Sequence, residues 1–158
     1  MGERAGMAVP RFGRAGGRRG ARSAAYGIAM DRTLARDSAR RSSQTRGVAF
    51  DPSTEAYTLP QVRDLDHPSG TNYTVALSQP PLNVDLVAAW FGGDALLSFD
   101  MFGIPDSDGI VVIRSGQEYR AVFLDENGTP EIRTLTKFEA TPLVVSPPVK
   151  AELVGTKL

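Results

Sequence analysis

The chain has 158 residues, 41% of them hydrophobic and 23% charged, with a formal net charge of zero. Length and balance suit one compact domain with a tail, and exclude both a wholly disordered chain and a multi-span membrane protein. The absence of cysteine excludes disulfide scaffolds, thiolate metal sites and cysteine nucleophiles, and the single histidine, His67, excludes any site that needs two imidazoles.

The zero net charge is a cancellation between unlike halves. Through Arg46, 11 arginines stand against Glu3, Asp31 and Asp37, a balance of +8; the remainder carries 7 Lys+Arg and 15 Asp+Glu, a balance of −8. This is a basic segment joined to an acidic body. No stretch approaches the roughly 20 apolar residues needed to cross a bilayer, and the glycine-rich first residues lack the apolar core of a secretion signal.

Residues 1–20 predict a basic, disordered arm. Gly2, Gly6, Gly13, Gly16, Gly17 and Gly20 raise the entropy cost of ordering it, and Arg18-Arg19 adds repulsion. Residues 21–46 predict an amphipathic helix: Ala21, Ala24, Ala25, Ile28, Ala35 and Ala39 fall in one narrow stripe at a period of 3.6, with Arg22, Arg36, Arg40 and Arg41 mostly off it. A stripe of small residues lets a helix approach a flat partner such as a sheet face. Gly47 reads as the C-cap, and arginines in the final turns suit the negative end of the helix dipole.

Residues 47–140 predict an antiparallel sheet domain, because the period now switches to two. Val48–Phe50 and Ala56–Leu59 flank a turn-rich linker over 51–55 that suits a hairpin. Tyr73–Leu77, Leu82–Trp90 and Leu96–Phe99 follow as strands, the second bounded by Pro80-Pro81 and Gly92-Gly93. Ile110–Ile113 and Glu118–Leu124, joined across Ser115-Gly116-Gln117, make the clearest hairpin, and Glu131–Leu135 is the last strand. Residues 141–158 predict an extended tail. One long helix followed by about six to eight antiparallel strands is an α+β plan, an N-terminal helix packed on an antiparallel β-sheet. The core should include Ile28, Leu34, Val48, Phe50, Tyr57, Val75, Leu97, Phe99, Val112, Val122 and Phe123.

Candidate chemistry is sparse. His67, beside Asp66, has the pairing of an oriented general base, but no nucleophile accompanies it and the surrounding stretch has the composition of a polar loop. Asp106-Ser107-Asp108-Gly109 and Asp125-Glu126-Asn127-Gly128 supply clustered oxygens without the spacing of an EF-hand, and both fall where turns are expected. No phosphate cradle follows a strand and opens a helix. Arg11, Arg14, Arg18, Arg19 and Arg22 are the candidates for neutralising phosphates on nucleic acid or an anionic surface. Trp90 and Phe91 read as core or a sheet-edge patch. No catalytic, cofactor-binding or metal residue is expected.

Several of these pieces, in this order, resemble the type IV pilin-like proteins, and within them the minor pseudopilin group of type II secretion systems, the GspH/FimT family. The resemblance is carried by the island Met7-Ala8-Val9-Pro10-Arg11-Phe12, the helical segments Ala24–Asp31 and Leu34–Arg40, and the strand pair Gly47–Pro52 and Tyr57–Leu59. It continues through the phrase Leu97–Pro105 and the hairpin Gly109–Arg114 with Tyr119–Leu124, and closes at an Asn127-Gly128 turn. The resemblance implies a pilin-like head domain and a non-catalytic structural subunit of an envelope filament, either a secretion pseudopilus or a type IV pilus, acting by assembly. It implies other pilin-like subunits and secretion or pilus assembly proteins as partners, no cofactor, and an inner-membrane-anchored, periplasm-facing location. An alternative is a nucleic-acid-binding module with a basic N-terminal arm, such as a DNA-uptake minor pilin. Family members begin with a basic leader, a processing site and about 20 apolar residues; set against them, Met7–Phe12 corresponds to the distal end of that apolar helix and Met1 to an internal start or the start of a truncated product. Membrane anchorage then depends on an apolar helix encoded upstream.

Overall fold

The computed structural model describes residues 2–64, 66, 69–125, 129–137 and 139–140, with side chains from residue 18 onward. Among the described residues a single helix, α1 (Gly2–Ser42), precedes eight strands: β1 (Arg46–Asp51), β2 (Ala56–Leu59), β3 (Tyr73–Ala76), β4 (Asp85–Phe91), β5 (Leu96–Phe99), β6 (Gly109–Ser115), β7 (Glu118–Leu124) and β8 (Glu131–Leu135).

The alanine stripe is the face that α1 buries: Ala21, Ala24, Ala25, Ile28, Ala35 and Ala39 are each at most 1% exposed. Their small side chains bring the helix backbone close to its neighbours, and at Gly20 a Cβ would collide with the carbonyl of Leu82, in the loop before β4. The helix differs from expectation at both ends. It begins at Gly2 rather than 21, so residues 2–20 of the segment expected as a disordered arm have helical backbone. Packing of 21–42 supplies the nucleus, so extension toward the N-terminus carries no new nucleation cost, although its glycines and Pro10 propagate a helix poorly.

At the other end the helix stops at Ser42 rather than 46. Ser43 takes the left-handed conformation with φ 52°. The Ser43 amide bonds the Arg40 carbonyl at 3.4 Å and the Gln44 amide bonds the Ala39 carbonyl at 3.2 Å, the pair of bonds that defines a Schellman cap. Gly47 is therefore not the cap. It lies in β1, where a Cβ would stand 2.7 Å from the Leu97 carbonyl oxygen of β5.

The strands form two four-stranded sheets, not one: β3-β2-β1-β5 and β4-β6-β7-β8. Every pairing is antiparallel, including the two hairpins expected from turn chemistry, with Ala49 opposite Thr58 in the first and Ser115 opposite Glu118 in the second. Gly116 opens the second turn at φ 61°, a conformation that suits a glycine.

One apolar cluster fills the space between α1 and both sheets, and the Phe50 and Phe91 rings, stacked 5.6 Å apart, join the sheets across it. Within β4 the register shifts between Leu86 and Ala88, and past that bulge Ala89 and Phe91 enter this inner cluster while Ala88 and Trp90 lie in the cluster on the other face of the sheet. β6 and β7 alternate the same way, so Val111, Ile113, Val122 and Leu124 join the inner cluster. Val112 and Phe123 are buried as expected, but in a second cluster on the opposite face of the β4-β6-β7-β8 sheet. Leu34 and Val75 are only partly buried at the margin of the first. No helix among the described residues is long and apolar enough to cross a membrane.

Candidate functional site

Among the described residues, large apolar side chains reach the surface in two places. On the outer face of α1, Tyr26 and Met30 stand one turn apart, with the Arg22 guanidinium 5.7 Å from the centre of the Tyr26 ring; Met30 is 71% exposed. In the loop between β5 and β6, Met101, Phe102 and Ile104 are exposed beside Leu96 of β5, with Phe102 at 67%.

That loop is held rigid by its own polar groups. The Asp100 carboxylate accepts from the Phe102 and Ile104 amides, both at 2.9 Å. The Gly103 amide bonds the Asp100 carbonyl at 2.9 Å, and the Asp100 amide bonds the Ile104 carbonyl at 3.0 Å. Arg40 of α1 donates from Nε to the Phe102 carbonyl at 2.9 Å, tying the loop to the helix. With its backbone satisfied, the loop presents three apolar side chains to water in a fixed arrangement. An apolar surface already held in one arrangement carries little further ordering cost on docking.

Between these two places, α1 is pinned to the sheets by two charged residues. The Tyr57 hydroxyl donates to Asp31 Oδ2 at 2.6 Å, and Tyr73 is a second partner of the same carboxylate. Burial raises the Asp31 carboxyl above its ordinary value, only partly offset by the two phenols. The same burial, with the Asp31 charge, pushes the Tyr57 phenol far up, so it remains a donor. One residue on, Arg32 is 1% exposed. Its guanidinium lies 5.4 Å from the centre of the Phe99 ring, and Nη2 donates to the Asp125 carbonyl at 3.1 Å. Burial, then the neighbouring Arg36 charge, lowers its pKa.

Of the arginines singled out from the sequence, side chains are described for Arg18, Arg19 and Arg22. Arg11 and Arg14 lie on helical backbone. Arg18 and Arg19 are exposed near the β6–β7 hairpin, with Arg18 Nε 3.6 Å from Glu118 Oε2. Arg22 is exposed and occupied with Tyr26. His67 and the turn 126–128 lie outside the described residues. Asp106 acts as a turn residue: its carboxylate accepts from the Ser98 amide at 3.1 Å and from the Ser107 hydroxyl at 3.3 Å. No cluster of three metal-ligating side chains occurs among the described residues. Phe91 is core, while Trp90 is half-buried on the outer sheet face.

Sequence reasoning missed Arg32 and the exposed loop, though both left a trace. Position 32 continues the buried spacing Ala25, Ile28, Ala35 and Ala39, and only its charge argued against burial. Three apolar residues between Asp100 and Pro105, in a stretch that must be loop, are apolar without a core to enter.

No family model matches the sequence, and no curated protein matches it. Among solved structures, the minor pseudopilin EpsH from the type 2 secretion system of Vibrio cholerae matches with a TM-score of 0.51 and 22% sequence identity. The match covers 73% of this chain and 96% of that one. The chain has the fold of a minor pseudopilin. In this pseudopilin-like fold the side chains of Tyr26, Met30, Met101, Phe102 and Ile104 stay outside the helix–sheet packing, which uses the alanine stripe instead.

Proposed function

We propose that this chain is a structural subunit of an envelope filament, a type II secretion pseudopilus or a type IV pilus, which acts by assembly and partner contact and not by catalysis. The observation that carries the reading is the pseudopilin-like arrangement of α1 against antiparallel sheets, matched over 96% of the EpsH chain. The rigid loop bearing Met101, Phe102 and Ile104, and the Tyr26–Met30 face of α1, are the surfaces offered to neighbouring pilin-like subunits. Its place is the cell envelope, with the helix directed toward the filament shaft.

The test is incorporation. In cells that build the filament, a tagged chain should co-purify with other pilin-like subunits, and Phe102→Ser with Ile104→Ser should lose them while the protein still accumulates. Recovery of the tagged chain free of every pilin-like subunit would overturn the reading.

A nucleic-acid-binding role is favoured by one observation: Arg18, Arg19 and Arg22 are all exposed along the middle of α1. It requires binding to DNA that weakens with salt and disappears when residues 1–22 are deleted. Salt-insensitive binding, or none, removes it.

A further inference from the structure

The large apolar side chains exposed among the described residues fall into two patches whose surroundings carry opposite charge. Tyr26 and Met30 lie on α1, where the exposed charged residues from 18 onward are Arg18, Arg19, Arg22, Arg40 and Arg41. The acidic residues of that stretch are already engaged, Asp31 with the Tyr57 hydroxyl and Asp37 with Arg36 at 3.5 Å. Leu96, Met101, Phe102 and Ile104 lie instead in the stretch 91–113, which contains Asp94, Asp100, Asp106 and Asp108 and neither lysine nor arginine. Asp94, Asp100 and Asp106 are exposed, and backbone amides of Leu96, Phe102, Ile104 and Ser98 hold their carboxylates in place beside the apolar side chains.

Within one molecule the two patches do not meet. Arg40 reaches the β5–β6 loop through the Phe102 carbonyl, on the side of the loop that faces α1. Met30 precedes Arg40 by ten positions, about 15 Å along the helix axis, and its side chain is open to water, as is that of Phe102. An apolar patch with a basic rim and another with an acidic rim, on one chain, are complementary to each other. Pairing of like with like is disfavoured: two loops would bring carboxylates together, and two α1 faces would bring arginines together.

We propose that the partner of each patch is a second copy of this chain, with the Tyr26–Met30 face of one copy docked on the Met101–Ile104 loop of the next. The proposal rests on the reading of both patches as subunit contacts, and adds that the chain is its own partner. The apolar side chains supply the contact area and the charged rims set its orientation. Because the two surfaces differ, the contact is heterologous. Every bound pair keeps one free patch of each kind, so association continues past the dimer into a ring or an open row.

The test is complementation between two disabled full-length chains. Met30→Glu spoils the α1 patch alone, and Phe102→Ser with Ile104→Ser spoils the loop alone; all three positions are exposed, and circular dichroism checks that both chains fold. In sedimentation velocity the native chain should grow past the dimer as its concentration rises. Each variant alone should stay monomeric, while their equimolar mixture should form dimers and nothing larger. Raising the salt to about 1 M should weaken the native association about fivefold, because it screens the charged rims. Growth by either variant alone overturns the proposal, as does a mixture that stays monomeric while the native chain associates, or an association unchanged by salt. Should a variant misfold, Tyr26→Ser replaces the first and Met101→Ser the second. A native chain that stays monomeric up to about 1 mM also overturns the proposal, yet leaves the filament reading standing wherever other pilin-like subunits still co-purify with it.

Discussion

Tyr57 Oη and Asp31 Oδ2 stand 2.6 Å apart, joining β2 to the middle of α1. The bond places a donor with a strongly raised pKa against a half-buried carboxylate whose own value burial has pushed up. It fixes the helix against the sheet at the level where the alanine stripe alone has no directional hold. Tyr57→Phe removes the hydroxyl and keeps the ring, leaving the carboxylate short of a partner. The expected loss is about 1–3 kcal/mol, read from urea denaturation with an unchanged m-value.

The same pair gives a pH dependence with a definite sign. Because the folded state raises the Asp31 pKa, it holds the proton more tightly than the unfolded chain does. The stabilisation from this group is full below the ordinary value of 3.8 and fades as the pH climbs through the raised one. Asp31→Asn, which keeps an acceptor for Tyr57 but cannot titrate, removes this contribution. The stability gap between the native chain and Asp31→Asn should therefore move in favour of the native chain on acidification from neutrality toward 3.8. A gap that stays constant across that range would contradict the assignment.

Two glycines of α1 should respond oppositely to alanine. At Gly27 a Cβ meets only the Tyr57 hydroxyl at 3.8 Å, so Gly27→Ala should stabilise by about 0.5–1 kcal/mol through helix propensity. At Gly20 the same change drives a Cβ into the Leu82 carbonyl, and Gly20→Ala should lower the thermal midpoint despite its better propensity.

Much of the fold is legible in sequence because it follows from periodicity and turn chemistry. The 3.6 spacing of Ala21 through Ala39 marks the buried helix face, and Gly116 marks the hairpin. Periodicity identifies a strand but not its sheet, so the division into two sheets, and the burial of Val112 and Phe123 in a cluster of their own, were not readable. The helix end was misplaced because Ser43 adopts a conformation more usual for glycine, while the nearby Gly47 serves strand contact. Asp31 and Tyr57 are 26 positions apart, and nothing local to either signals the other. The exposed loop was legible as a phrase but not as a surface, since whether Phe102 faces in or out depends on Asp100 folding the backbone beneath it.

Under the proposed filament role, variants of the loop should separate assembly from stability. Phe102→Ser removes an exposed side chain and should change folding stability by no more than about 0.5 kcal/mol. Asp100→Ala strips two amides of their acceptor and should speed hydrogen exchange at Phe102 and Ile104 while the amides of β6 stay protected. Both variants should weaken contact with neighbouring subunits. Loss of contact from Phe102→Ser with full retention from Asp100→Ala would show that the side chain matters and the loop's rigidity does not.

Site-specific cross-linking in cells that build the filament tests the central claim most directly, since the chain has no cysteine of its own. A cysteine introduced as Phe102→Cys or Met30→Cys, treated with a short bifunctional reagent and analysed by mass spectrometry, should join the chain to another pilin-like subunit. The same reagent on Ser53→Cys should yield far less. Adducts that contain no pilin-like subunit from either surface position would contradict the account.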